Sequence, residues 1–257
     1  MGQVSSTGVR VLKEFLRQRA TVFWTIAWPS LWVFISAVSF ASAIPEEIAA
    51  LARGAFTISM LLFALMIAGM GNLPASIAED RERGLMAKLK SMPLRPINDL
   101  AGRILGLVGF SIVASIAVLA VGYACGGRLN LTVARAGAAM GFLSVAFLTS
   151  VGIGVTIGSL VKEVHGATMT GIGISVVTAA LGGIFAPYSA LPDFLKAFAR
   201  VYPVSSANSS LIYILCREDL AGYNPITAGQ VAWTVLASIV IFLVGVFLYS
   251  KLSWRSD

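Results

Sequence analysis

The chain is poor in the side chains on which most enzyme chemistry depends. Its 257 residues include one histidine and two cysteines, and only 12% are charged, whereas about a quarter is usual in soluble domains. Serine hydrolysis needs a base beside the serine, most often histidine, and metal sites need clustered ligands. No GxxxxGKS or GxxxxGKT phosphate loop occurs. We therefore expect no catalytic centre, and no cofactor or metal held by this chain itself.

Long stretches without charge dominate the sequence. A helix needs about 20 apolar residues to cross the hydrocarbon core of a membrane. Strands of a membrane barrel would alternate polar and apolar residues, and these stretches do not. The sequence predicts an all-α integral membrane protein, one domain over residues 1–257, with six transmembrane helices. Their uncharged stretches are residues 20–45, 54–78, 104–127, 136–161, 166–192 and 220–250.

The same absence limits the energy source of any transport. Proton- and ion-coupled transporters usually carry carboxylates, histidine or bases at membrane depth. None lies within the six stretches, and His165 falls in the short turn between the fourth and the fifth. A transporter of this composition would have to take its energy from elsewhere.

The distribution of basic residues predicts the orientation. With both termini cytoplasmic, 13 of the 19 lysines and arginines lie on the inner side, as the positive-inside rule requires. We expect a multi-pass protein of the cell (plasma) membrane. The net charge of +7 then indicates contact with anionic membrane lipids and no nucleic-acid partner.

The first twenty residues have the pattern of an amphipathic helix. At 100° per residue, Val11, Leu12, Phe15 and Leu16 share one face, and charged residues cluster opposite. This predicts an interfacial helix over residues 1–20 lying on the cytosolic surface before the first span. The alternative is a solvated basic tail.

Charge is concentrated in the loop between the second and third spans, residues 75–96. Pro74 is expected to end the second span, and Ile77 to Lys90 suits a helix with a bend at Gly84. A small apolar face on this charged body is typical of an element that docks into a cleft on a cytosolic partner. The predicted docking residues are Glu79, Asp80, Arg81, Glu82, Arg83, Gly84, Leu85, Met86 and Leu89.

A mixed segment, residues 188–219, lies before the last span. Apolar residues repeat at helical spacing after Pro192, which suits a first helical position, and the later "LIYIL" is too short to span. Non-helical or re-entrant backbone at membrane depth must be shielded by protein. We therefore predict an outer re-entrant helical hairpin that forms a gate, with Phe185, Pro187, Leu191, Pro192, Phe194, Phe198 and Pro203 as its characteristic residues.

Two segments, "EDRERGLMAKLKSMPLRP" and "GIFAPYSALPDFLKAFARVYPVSSANSSL", carry a family resemblance. They are similar to membrane subunits of type-2 ATP-binding-cassette (ABC) exporters, especially the daunorubicin-resistance kind. Leu85 and Met92 stand where many members have Thr, which counts against polysaccharide export more than against the family. The matching positions are Glu82, Gly84, Ser91 and Pro93 in the first segment, and Phe185, Pro187, Leu191, Pro192, Pro203 and Ser205 in the second.

The resemblance implies a mechanism. Two such permease subunits, identical or different, would form the membrane dimer, and two cytosolic ABC ATPase subunits would bind ATP and Mg²⁺ below it. The charged loop would be the coupling helix. An amphipathic drug-like, lipid or glycolipid substrate would pass outward along the first, second and fifth spans. The candidate pathway residues are Trp28, Trp32, Ser36, Ser39, Thr57, Ser59, Thr170 and Ser175.

Other interpretations stay open at this stage. The tryptophans of the first span could form a packing or dimer stripe. The whole chain could be a channel or membrane scaffold without ATP coupling, or a membrane enzyme of lipid metabolism. The missing carboxylate and histidine clusters disfavour the enzyme, and an ATPase partner would distinguish the exporter from the channel.

The orientation predicts where a membrane-impermeant thiol reagent reaches the chain. Cys125 ends the third span and Cys216 ends the outer hairpin, both on the outer side, so the reagent should label them in intact cells after reduction and mild opening of the fold. A disulfide between them would need their Cα atoms to approach within about 7 Å, and this stays open. A cysteine introduced by Ser91→Cys should remain unlabelled. Its labelling from outside would reverse the orientation.

Overall fold

A computed structural model describes residues 2–39, 46–85 and 96–253. This part of the chain is helical and contains no strand. We number its helices in chain order as α1 (Gln3–Arg17), α2 (Arg19–Ser39), α3 (Ile48–Glu82), α4 (Pro96–Ala124), α5 (Val133–Leu160), α6 (Val164–Leu181), α7 (Asp193–Val201), α8 (Pro203–Leu215), α9 (Glu218–Ala221) and α10 (Ala228–Leu252).

Six of the described helices, α2 to α6 and α10, are long and apolar enough to cross a membrane. The predicted all-α fold with six spans is confirmed. Burial distinguishes the helices: 72% of the most apolar part of α3 is buried inside the protein, against 17% for α10. The bundle is therefore built around α3, and α10 leaves most of its apolar surface available to lipid.

The prediction that Pro74 ends the second span is wrong. Helix α3 passes through a π-helical turn at Ile67–Asn72, continues beyond Pro74, and ends at Glu82. Proline is tolerated in the first turn of a helical segment, where its missing N–H would have no helical partner, and the π turn creates such a segment start. One continuous helix thus carries the first part of the charged loop.

The amphipathic helix α1 packs on α4 of the same chain. Val11 and Phe15 on its apolar face are fully buried, and the ring centroids of Phe15 and Phe110 lie 5.6 Å apart. Gly102 and Gly106 allow the close approach, because a Cβ at either position would collide with α1. Part of the face predicted to meet lipid is covered by protein, although Leu16 remains 44% exposed.

Glycines also bring α5 and α6 against the π turn of α3. A Cβ at Gly154 of α5 would run into the carbonyl of Gly69, and a Cβ at Gly171 of α6 into that of Met70. Gly137 and Gly141 of α5 lie four residues apart, but a Cβ at either position would face open space. Small residues four apart therefore mark helix packing at some of these sites only.

At the far end from α1, the short helix α8 lies inside the bundle. Its residues Pro203 to Ile212 are all buried. The Ser59 hydroxyl of α3 donates to the Asn208 side chain at 3.1 Å, and the hydroxyls of Ser206 and Thr234 lie 2.8 Å apart. Protein shields this segment, as predicted. The re-entrant character of the hairpin itself stays a prediction.

Helix α7 begins where the sequence indicated, with Pro192 as its N-cap residue. Ala199 of α7 is buried, as is Leu191 just before the helix, whereas Phe194 is 73% exposed. Cys125 and Cys216 are free thiols, and Cys216 is buried.

The contrast between Gly154 and Gly137 makes a paired prediction. Gly154→Ala should lower the free energy of unfolding of the purified protein by about 1–3 kcal/mol, the usual effect of overpacking. Gly137→Ala adds a methyl group in open space and should be neutral or stabilising by up to about 1 kcal/mol. Thermal unfolding in an uncharged detergent measures both, and equal stabilities of the two variants would contradict the packing at Gly154.

Candidate functional site

Three consecutive residues at the end of α3 bond to different parts of the bundle. Asp80 accepts hydrogen bonds from Arg103 of α4 and Arg10 of α1. Arg81 donates to carbonyls at the end of α5, and Glu82 accepts from a backbone amide at the start of α6. We call this set the polar junction, which comprises Arg10, Ser76, Asp80, Arg81, Glu82, Asp99, Arg103 and Tyr249.

The centre of the polar junction is the Arg103 guanidinium, whose side chain is 0% exposed. Its Nε donates to Asp99 at 2.8 Å, and its Nη1 donates to the carbonyl and the hydroxyl of Ser76 at 3.2 and 3.0 Å. Its Nη2 forms an ion pair with Asp80. The guanidinium thus fixes the start of α4 against the end of α3.

Two further helices join this network. Arg10 of α1 binds Asp80 through both Nη atoms, at 3.1 and 2.9 Å. The Tyr249 hydroxyl, at the end of α10, donates to Asp99 at 2.6 Å. The two carboxylates and two guanidiniums balance in charge, which burial requires because an unpaired buried charge is strongly destabilising.

Arg81 and Glu82 hold the turn between α5 and α6 from both sides. Arg81 donates to the carbonyls of Gly158 and Val161 at 3.2 and 3.3 Å, and Glu82 accepts from the Val164 amide at 2.9 Å. Helix ends carry partial charges, negative at the C-terminus and positive at the N-terminus. Each side chain therefore meets the helix end of opposite sign, and each also satisfies backbone groups that lack helical partners.

A pair of acidic residues lies beside the polar junction, where α1 meets α3. Burial, followed by the hydrogen bonding and charge of Glu79 and the charge of Asp80, raises the pKa of Glu14 from 4.5 to about 7, and Arg10 opposes the rise. Gln18 donates to Glu79 at 3.3 Å. Because the folded-state pKa is raised, the stability contributed by protonated Glu14 is present below pH 4.5 and is lost as the pH rises through about 7.

The predicted docking residues differ in how exposed they are. Asp80 is buried in the polar junction. Its side chain therefore does not face an outside partner, contrary to the prediction. Glu82 and Arg83 are exposed, and Leu85 is half-buried. The predicted bend is present at Gly84, whose φ of 68° lies in the left-handed region that favours glycine. Met86 and Leu89 lie outside the described residues.

The predicted pathway residues do not share one open face. Thr57, Ser59 and Ser175 are buried within the subunit, because their hydroxyls find partners inside it. The remaining members are partly or largely exposed, namely Trp28, Trp32, Ser36, Ser39 and Thr170.

The predicted gate residues lie at the opposite end from the polar junction. Phe185 contacts Trp32 of α2 and Phe63 of α3, with ring centroids 6.5 and 4.9 Å apart. Phe198 stacks on Tyr202 at 5.4 Å. Within the set, Leu191 and Pro203 are buried, and Pro187, Pro192 and Phe194 are exposed.

Sequence reasoning missed the centre of the site. It gave no role to Arg103, Asp99, Ser76 or Tyr249. The available signal was an acid and a base four residues apart at the start of an otherwise apolar helix, since ionisable residues that enter a membrane span pair with one another.

The fold and the polar junction together define a multi-pass helical membrane protein whose buried charged residues, in the described part of the chain, converge on one end of the bundle. The family model described as "ABC-2 type transporter" matches residues 2–216, which is most of the chain. The chain therefore belongs to the ABC-2 type transporter family and is the membrane-spanning permease part of an ABC transporter. A comparison with curated proteins finds no match.

The polar junction makes a prediction about stability. Arg103→Met leaves Asp80 and Asp99 buried without their shared partner and should lower the free energy of unfolding by about 3–5 kcal/mol. Arg135→Met, at an exposed arginine of α5, should change it by less than about 0.5 kcal/mol. Thermal or denaturant unfolding of the purified protein measures both. Wild-type stability of Arg103→Met would contradict a buried ion network.

Proposed function

We propose that this chain is the permease of an ATP-driven exporter in the plasma membrane, with its termini and polar junction on the cytoplasmic side. It works as a dimer with an identical or a different permease. Two separate ABC ATPase subunits bind ATP and Mg²⁺ and supply the energy. The cargo is an amphipathic molecule, drug-like, lipid or glycolipid. Family membership supports the permease role, and the arrangement of the polar junction supports the coupling.

The observation that carries this proposal is the set of bonds made by Asp80, Arg81 and Glu82. Within a single helical turn they reach α1, α4, the end of α5 and the start of α6. A force applied just beyond Glu82 would therefore act on four neighbouring helices at once. Such a connection is what an ATPase needs if its closure is to move the membrane spans.

The exposed end of α3 is the proposed contact with the ATPase. Glu82 and Arg83 are exposed, and the chain bends at Gly84. Docking through residues 82 to 90 leaves Asp80 free to keep its buried pairs. In this arrangement the outer residues bind the ATPase, and the buried network transmits its movement to the spans.

The absence of charge along the spans supports the choice of cargo. The six uncharged stretches carry only apolar and neutral polar side chains, and Trp32, Ser39 and Thr170 expose theirs. An amphipathic molecule can move along such a surface without losing the hydration that a small ion requires. A channel or scaffold would have no use for a segment that ties one loop to so many helices.

Coupling can be tested by disconnecting the end of α3. Glu82→Ala removes the bond to α6, and Gly84→Pro fixes φ near −65° where the bend has 68°. Both variants should fold and keep basal ATP hydrolysis by the reconstituted complex. Substrate-stimulated hydrolysis and transport should fall in both variants. For Glu82→Ala the fall should be roughly tenfold, the factor that corresponds to losing about 1.4 kcal/mol from its charge-assisted bond to α6.

The matched control is Glu218→Ala, which removes an exposed carboxylate at the other end of the bundle and should retain wild-type coupling. If Glu82→Ala and Gly84→Pro both show wild-type stimulation, the end of α3 does not transmit the energy. If no ATPase subunit binds the purified permease, the exporter proposal itself is wrong.

A further inference from the structure

A cavity of about 430 Å³ opens beside the polar junction, between α2, the end of α3 and the start of α6. Its volume falls in the range of pockets that hold small organic molecules. Neither the bonds of the polar junction nor the predicted pathway residues account for it. Its lining includes the polar side chains of Glu82, Glu163 and His165 and the apolar side chains of Trp24, Met169 and Ile172.

The lining changes from charged to apolar along one direction. Glu163 and Ile172 are nine residues apart on the same helix segment, which places them about 14 Å apart along the α6 axis at 1.5 Å per residue. The carboxylates lie at the end with the polar junction, and the indole, thioether and isoleucine lie toward the middle of the bundle. The cavity is shaped for a ligand with a polar head and an apolar body.

Charge at the rim selects the sign of the head. Glu82 and Glu163 are both exposed. The nearby Arg81 is directed to the end of α5, and Lys162 does not line the cavity. The start of α6 offers little to an anion, because Glu82 already accepts from its Val164 amide. The two rim carboxylates attract a cation and repel an anion.

The interior suits a cation with a hydrophobic body. Trp24 presents an indole, the aromatic group with the strongest attraction for cations, and Met169 adds a polarisable apolar surface. From Trp24 a row of rings continues through Trp28, Trp32 and Phe185, with successive centroids 5.4, 6.2 and 6.5 Å apart. The row leads from the cavity to the predicted gate at the opposite end.

We propose that this cavity binds a hydrophobic organic cation, with its ammonium or equivalent head between Glu82 and Glu163 and its apolar body against Trp24 and Met169. The assignment of this ligand as cargo rests on the proposed function, and it narrows the cargo from amphipathic molecules in general to those with a positive head. Binding itself requires no ATPase and is tested without one.

The probe is tetraphenylphosphonium, with tetraphenylborate as an anion of matched size and shape. Equilibrium dialysis against the purified full-length chain in an uncharged detergent measures both, with protein-free micelles subtracted. Tetraphenylphosphonium should bind saturably and tetraphenylborate should not. Glu163→Gln should weaken cation binding about tenfold, the factor for losing about 1.4 kcal/mol of attraction. Glu163→Asp, which keeps the charge, should restore most of it.

The matched control is Asp193→Asn, which removes a fully exposed carboxylate at the other end of the bundle and should bind like wild type. Thermal unfolding verifies that each variant is folded. Equal binding of the two probes, no saturable binding, or wild-type affinity in folded Glu163→Gln would overturn the proposal. Because no ATPase is present, these results are distinct from a failure of the exporter function.

A competition experiment distinguishes the source of the cation. Short-chain phosphatidylethanolamine, added to the micelles, should displace the probe if the site receives a lipid amine head. If it does not, while phosphatidylglycerol is equally without effect, the site receives a free hydrophobic cation. Displacement by phosphatidylglycerol alone would contradict a cation site.

Discussion

The structure depends on a buried guanidinium. Arg103 is fully enclosed, and a buried charge is tolerated only when it is paired and its remaining hydrogen-bonding groups are satisfied. Asp80 and Asp99 supply the charge, and Ser76 supplies the neutral acceptors. The carboxylates in turn bring in an arginine of α1 and a tyrosine of α10. One electrostatic requirement thus determines how the ends of α1, α3, α4 and α10 meet.

The two ends of the bundle are held by different forces. At the polar junction the contacts are ionic, whereas the opposite end relies on neutral pairs such as Ser59 with Asn208 and Ser206 with Thr234. Neutral hydrogen bonds between membrane helices contribute only about 0.6 kcal/mol each on average. The ionic end is therefore held together more strongly than the neutral end, an asymmetry that suits the proposed transporter driven from one side.

Long uncharged stretches made the fold predictable, because their length and composition leave few alternatives in a membrane. The bend at Gly84 and the start of α7 after Pro192 also followed from local rules. Two other features could not be predicted from local rules. Proline at position 74 has a strong local preference for a helix end, and only the π turn before it lets α3 continue. The network around Arg103 joins residues up to 150 positions apart, as in the bond from Tyr249 to Asp99, and no local pattern encodes such a separation.

The burial of Asp80 changes how the charged loop is understood. A loop whose acids and bases all served a partner would leave the permease without a connection between its docking surface and its spans. Here successive residues do different things. Asp80 and Arg81 bond within the bundle. Glu82 bonds to α6, and it also lines the cavity. A ligand head between Glu82 and Glu163 would compete with the bond from Glu82 to α6. Occupation of the cavity would therefore alter the same contact through which we propose that the ATPase acts, which would give cargo a physical means of signalling its presence.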